Sequence, residues 1–158
     1  MMEYCMIVEL GNVSIFKDLG DEVLGKISLF STETELDDGE ILISEHQQGP
    51  SDLFVLCKGS VEIVSNDSAV TSNEVSLSKL DKDIFGEIGW LCNGHRSATV
   101  RSVGEIQVIR IDGKKLAKFI FENPEIGLKI VYKISQTLAE RLSTTDSLLK
   151  QVLWNTGY

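Results

Sequence analysis

Leu53-Phe54-Val55-Leu56-Cys57-Lys58-Gly59-Ser60-Val61-Glu62-Ile63-Val64 reads as two short strands separated by a Lys-Gly turn. The first run is apolar throughout and the second alternates Val61 and Ile63 with Glu62, a period of two that belongs to extended chain. The same pattern recurs on either side. Ile41-Leu42-Ile43, Val75-Ser76-Leu77, Thr99-Val100-Arg101-Ser102-Val103 and Ile106-Gln107-Val108-Ile109-Arg110-Ile111 are all short and rich in β-branched residues. Turn formers separate them at Asp37-Asp38-Gly39, Gln48-Gly49-Pro50, Asn66-Asp67 and Gly104. Six or more short strands at this spacing, over residues 35–111, predict an antiparallel sandwich, jelly roll or small barrel rather than a parallel βαβ sheet.

Helical periods flank this β-rich body. Asp21 opens a short amphipathic pattern carried by Val23, Leu24 and Ile27, with Ile15, Phe16 and Leu19 just ahead of it. After the last strand, Asp112 is placed to cap a helix whose apolar face is Leu116, Phe119 and Ile120. Asn123-Pro124-Glu125 ends that helix and starts another, with Asn as N-cap, Pro at the first helical position and Glu at the positive end of the dipole. From there to about Trp154 only Gly127 interrupts the helix. Val131, Ser135, Leu138, Leu142, Thr145, Leu149 and Val152 recur at alternating spacings of four and three, a heptad seam. A helix of roughly thirty residues is about 45 Å long, more than a small β domain covers, so its far end is expected to pair with a second copy. The order helix, β-body (about 35–111), helices (about 112–154) predicts an α+β arrangement in one domain spanning residues 1–158.

Composition narrows the class. With 158 residues, 42% hydrophobic and 25% charged, the chain fits one globular domain with a real core. The start, Met1 to Glu9, has no basic n-region, and no apolar stretch is long enough to span a bilayer. Cys5, Cys57 and Cys92 are an odd set without CxxC spacing, which predicts reduced thiols in a cytoplasmic protein. A net charge of −9 argues against nucleic acid as partner. The charge is unevenly spread: residues 1–95 carry five Lys/Arg against 18 Asp/Glu, and residues 96–158 carry ten against six. An anionic ligand of the acidic half needs a dedicated cation, and Arg96 is the first Lys or Arg after Lys82.

One segment breaks the strand pattern. In Asp83-Ile84-Phe85-Gly86-Glu87-Ile88-Gly89-Trp90-Leu91 two glycines interrupt the β-run, and Glu87 to Leu91 can form a single helical turn with free N–H groups. Nine residues after Glu87 comes Arg96, followed by the small residues Ser97 and Ala98 and a clear strand. Arginine grips a phosphate through two donors and stays ionised. Taken singly, Glu87 and Arg96 read first as an ordinary salt bridge.

As a whole, Phe-Gly-Glu-Ile-Gly-x-Leu followed by Arg-Ser-Ala-Thr-Val resembles the phosphate-binding cassette of the cyclic-nucleotide-binding family. That family includes catabolite activator proteins, regulatory subunits of cyclic-AMP-dependent protein kinase, and the cytoplasmic domains of cyclic-nucleotide-gated channels. The likeness extends to Asp38-Gly39-Glu40-Ile41-Leu42, to the Asp52–Ile63 hairpin and to Leu138-Ala139-Glu140-Arg141-Leu142. It implies an antiparallel β jelly roll (double-stranded β-helix) with a short N-terminal helical segment and C-terminal helices. It further implies that Arg96 binds the cyclic phosphate and Glu87 accepts from the ribose 2′-hydroxyl. Backbone N–H groups around Ile88, Gly89 and Ala98, with the Ser97 hydroxyl, complete the phosphate cradle, and Gly86 permits the close approach. Such a pocket prefers ribose to deoxyribose. Ser97 resembles the cyclic-AMP-binding activators, which favours cyclic AMP over cyclic GMP.

Four residues depart from the family pattern: His46 and Gln47 in the turn ahead of Asp52, His95 where proline is common, and Trp90 where an aliphatic residue is usual. For Trp90, core packing stands beside a reshaped pocket; for His95, a solvated loop position stands beside a ligand contact. The expectation is a regulatory module that takes one cyclic nucleotide, pairs through its C-terminal helix and addresses an effector protein in trans, with no metal or cofactor, no membrane and no catalysis. The same fold used for protein–protein interaction without a nucleotide is the competing reading. Only His46 and His95 are available as histidine ligands, which disfavours a metal-dependent cupin. No winged helix-turn-helix is expected between the long helix and Tyr158. Arg96→Ala is expected to weaken cyclic nucleotide binding by about 2–4 kcal/mol in calorimetric titration, with a much smaller change in the thermal melt.

Overall fold

The computed structural model describes residues 2–45, 51–66, 74–81, 84–92, 94–96 and 98–157. His46, Gln47, Ser97 and the turns expected at Gln48-Gly49-Pro50 and at Asp67 lie outside the described residues. The described elements run α1 (Met2–Gly11), α2 (Asp21–Ser28), β1 (Ser31–Leu36), β2 (Ile41–Ile43), β3 (Leu53–Asn66), β4 (Glu74–Asp81), β5 (Ile84–Phe85), α3 (Glu87–Leu91), β6 (Thr99–Ile111), α4 (Gly113–Glu122) and α5 (Pro124–Asn155).

All strand pairings are antiparallel. The sheet runs β1-β6-β3-β4, with β2 also on β6 and β5 also on β3. The long β3/β6 pair is the spine: Leu53 faces Ile111 at one end and Val64 faces Thr99 at the other. Lys58-Gly59 and Gly104 do not end strands as expected. Register shifts fall between Leu56 and Ser60, so each pair of short strands is one long strand that bends at a bulge. Gly59 sits at φ 87°, and a Cβ there would lie 2.7 Å from the Glu105 carbonyl oxygen, so the bend admits no other residue without strain.

Leu53 to Leu56 is apolar on both faces because both faces are covered. Leu53 and Val55 point with Ile109 and Ile111 at the helices, where Leu10, Phe16, Ile27, Leu116, Ile130 and Ile134 complete one core. Phe54 and Leu56 point into the roll with Ile43, Val61, Phe85, Val100, Ile106 and Val108. Phe54 and Phe85 stack at 5.7 Å between ring centres and close the roll beneath β5.

The β-body begins at Ser31 rather than about residue 35, because β1 joins the sheet edge through a Ser31↔Ile111 to Leu36↔Ile106 register. Its Thr-Glu-Thr-Glu pattern carries no apolar alternation, which hid it. The N-terminal helical segment is two helices, not one; α1 buries Leu10 and packs Met6 and Ile7 on the core. At the other end the helices fall within a residue of expectation. Asp112 caps α4, its carboxylate accepting from the N–H groups of Lys114 and Lys115 at 3.0 Å each. Asn123 does not cap α5: its side-chain amide turns back and donates to the Phe119 carbonyl at 2.9 Å. Pro124 does occupy the start of α5. The Cys57 thiol is pushed up to about 12, chiefly by burial and then by the nearby charges of Glu9 and Glu33, so it stays protonated. Asp112→Ala is expected to cost about 1 kcal/mol in chemical denaturation by leaving the α4 N-terminus uncapped.

Candidate functional site

The segment from Ile84 to Arg96 is held by its backbone before any ligand is considered. Gly86 takes φ 85°, a left-handed conformation that a side chain disfavours, and a Cβ there would lie 2.7 Å from the Asp52 carbonyl oxygen. That turn launches α3, whose first N–H groups have no acceptor within the helix. The Trp90 N–H returns to the Gly86 carbonyl at 3.0 Å and the Gly94 N–H to the Gly89 carbonyl at 2.6 Å, closing the loop toward Arg96.

Arg96 lies directly under this turn and is only 8% exposed. A Cβ on Gly89 would sit 2.6 Å from its Nη1, and one on Gly86 3.3 Å from the same atom. The two glycines therefore make room for the guanidinium as well as for an incoming ligand. Burial pulls the Arg96 pKa below the ordinary arginine value, and the charge of Asp52 works against that shift. Asp52, itself buried, is engaged elsewhere: Arg110 Nε donates to its Oδ2 at 2.6 Å and the Gly113 N–H to its Oδ1 at 3.0 Å.

Glu87 is 3% exposed and forms an ion pair with Arg141 of α5. Arg141 also donates through Nη2 to the Ile84 carbonyl at 2.6 Å, so one side chain ties α5 to both ends of the β5–α3 turn. A buried carboxylate is costly to leave without a partner, and Arg141 supplies one. Trp90 makes a further tie. It packs on the helix-side core and its indole N–H donates to the Gly113 carbonyl at 2.9 Å, so its role is structural.

A cavity of about 670 Å3 lies between the roll and α5. Gly86, Glu87, Ile88, Gly89, Arg96 and Ala98 all line it, so six of the seven residues expected at the site from sequence are brought together. Ser97, the seventh, lies outside the described residues. His95 also lines this cavity and is exposed. Ile43, Ile63, Phe85 and Val100 supply apolar walls. The sequence reading missed the α5 wall, formed by Thr137, Glu140, Arg141, Thr144, Thr145 and Leu148. The signal was there: Arg141 follows Ile130, Ile134 and Leu138 at helical spacing, and that row faces the body. A group with one negative charge, a hydroxyl and a flat apolar portion matches this lining. Among the described residues no His/Cys/Asp/Glu cluster could hold a metal ion.

The sequence model described as Cyclic nucleotide-binding domain matches residues 33–123, more than half the chain, and the chain belongs to that family. It is 35% identical over 96 residues to the cAMP-activated global transcriptional regulator CRP of Salmonella typhimurium, covering 60% of this chain and 43% of that protein. It is 30% identical over 100 residues to the potassium channel KAT1 of Oryza sativa subsp. japonica, covering 63% of this chain and 14% of the channel. The chain thus spans less than half the length of either relative. Among solved structures, the regulatory domain of Toxoplasma gondii PKA with cAMP superposes with a TM-score of 0.71 at 17% identity, over 87% of this chain and 50% of that one. That likeness is one of fold. Gly89→Ala, which drives a methyl group onto Arg96, is expected to weaken cyclic nucleotide binding about tenfold or more in a fluorescent-nucleotide titration.

Proposed function

We propose that this chain is a regulatory module that binds cyclic AMP in the cavity between roll and α5 and signals through α5. The observation that carries the reading is the convergence of buried Glu87, buried Arg96 and α5's Arg141 around one cavity. Arg96 takes the cyclic phosphate together with the N–H groups of Ile88, Gly89 and Ala98 and the hydroxyl of Ser97. Glu87 accepts from the ribose 2′-hydroxyl while Arg141 holds its charge. One guanidinium suits a phosphodiester with one charge. Ser97 and the likeness to a cAMP-activated regulator support adenine over guanine. The role is binding rather than catalysis, in the cytoplasm, where free Cys5, Cys57 and Cys92 stay reduced. Among the described residues no helix is long and apolar enough to cross a membrane.

The signal leaves through α5 because that helix contributes Arg141 to the cavity and then continues past it. Ligand binding biases the position of a helix only if the helix differs in its contacts between the two states, and Arg141 provides such a contact. The continuation pairs with a second copy. Of the expected seam, Leu138 packs on its own core, while Val131, Leu142, Leu149 and Val152 are exposed. Leu128, Tyr132 and Leu153 are exposed beside them and widen the stripe at helical spacing. The effector is a protein reached in trans or through a neighbouring domain.

Calorimetric titration tests the reading. Cyclic AMP should bind more tightly than cyclic GMP, and 2′-deoxy cyclic AMP more weakly than either. An absence of heat at millimolar nucleotide, with the protein folded, would replace the reading with that of an interaction module. Sedimentation equilibrium should give a dimer that the double variant Leu142→Lys, Leu149→Lys reduces to monomer without loss of nucleotide binding.

A further inference from the structure

A second cavity, of about 330 Å3, lies inside the roll on the other side of Arg96. Its walls are apolar where β1, β2, β3 and β6 meet, at Leu36, Leu42, Phe54 and Val108, with the hydroxyls of Thr34 and Ser44 at its edge. Its charged lining is Asp52, Arg96 and Arg110. Arg96 and Ile43 belong to both cavities. The guanidinium of Arg96 thus stands in the partition between the nucleotide cavity and this smaller one.

The charges of the small cavity specify a ligand class. Two arginines against one aspartate leave a net charge of +1. Asp52 is already paired with Arg110 and with the Gly113 N–H, so its charge is largely offset where it sits. Arg110 is half exposed, so an ion can reach it. Beyond these groups and the two hydroxyls at the edge the walls are aliphatic and aromatic, and they reward burial of a short apolar tail. A monoanion with such a tail matches both the net charge and the walls.

We infer that the small cavity is a second ligand site, for a small monocarboxylate with a short apolar tail, and that its occupant competes with the cyclic nucleotide for Arg96. The carboxylate engages Arg110 and Arg96 while the tail lies against Leu36, Phe54 and Val108. Because one guanidinium cannot face both cavities at full strength, filling the smaller one lowers affinity in the larger. Nucleotide response is thereby set by the level of an organic acid. The competition rests on the cyclic nucleotide reading; the site itself does not.

Butyrate is the probe. Methyl-resolved NMR of the full chain should show saturable shifts at Leu36 and Val108 on adding sodium butyrate, against sodium chloride at equal ionic strength. At saturating butyrate the Kd for cyclic AMP should rise roughly fivefold or more over the chloride control. Thr34→Trp, a substitution on an edge strand that fills the cavity mouth, should abolish both effects and leave cyclic AMP affinity in chloride unchanged. Its methyl spectrum reports whether the variant is folded. Equal spectra in butyrate and chloride would overturn the site. Methyl shifts without a change in nucleotide affinity would overturn the competition, as would an affinity loss that persists in folded Thr34→Trp. If cyclic AMP does not bind at all, the methyl shifts alone decide the site, and only the nucleotide reading has failed.

Discussion

A single buried carboxylate holds the working parts of this molecule in register. Asp52 sits where β3 begins, and its two oxygens take the guanidinium of Arg110 from β6 and the N–H of Gly113 at the start of α4. Its main-chain carbonyl lies against Gly86, and its charge acts on Arg96. Strand, cassette and helix are therefore positioned against one residue. Burying an ion costs several kcal/mol unless its lone pairs are filled, so every partner of Asp52 is constrained to stay. Close packing enforces the same arrangement: a Cβ on Gly113 would come within 1.8 Å of the Ser51 carbonyl oxygen, so the chain crosses there with no side chain between.

From this fixed point the electrostatics extend outward. The N-terminal half is strongly acidic, and a phosphate entering it meets a repulsive surround. Arg96 offsets that locally, and Arg141 does the same for Glu87 from the opposite wall. Two cations thus arrive from different parts of the chain, one just ahead of β6 and one from α5, and each belongs to the less acidic half of the sequence. The cavity is a place where two oppositely charged halves of one chain meet.

Much of this was legible in the sequence, for identifiable reasons. Strands with alternating or fully apolar runs, such as Leu53–Leu56 and Ile106–Ile111, declare themselves because the sheet buries them. β1 did not, since an edge strand of threonine and glutamate has no apolar face to display. The bends at Gly59 and Gly104 read as chain ends, because a glycine at positive φ looks the same locally whether it ends a strand or folds it. Six residues of the site were readable because the cassette is contiguous, and contiguity lets spacing speak. Arg141 lies 54 positions from Glu87, and nothing local announces such a pair. Leu138, read as part of a heptad seam, packs on the core for a related reason: periodicity fixes which residues share a face, while the body decides which face is free.

The two faces of α5 have one mechanical consequence. Counted at 3.6 residues per turn, Thr137, Thr144 and Leu148 over the cavity lie roughly opposite the exposed Leu128, Tyr132 and Leu153 on the helix. Such a rod is an axle: it cannot turn one rim and leave the other at rest. A roll of about 20° carries a side chain ~5 Å from the axis through about 2 Å, at both rims and in opposite senses. Displacements of that size separate a made ion pair from a broken one. The gearing ratio is unity by construction, set by the rigidity of the helical rod.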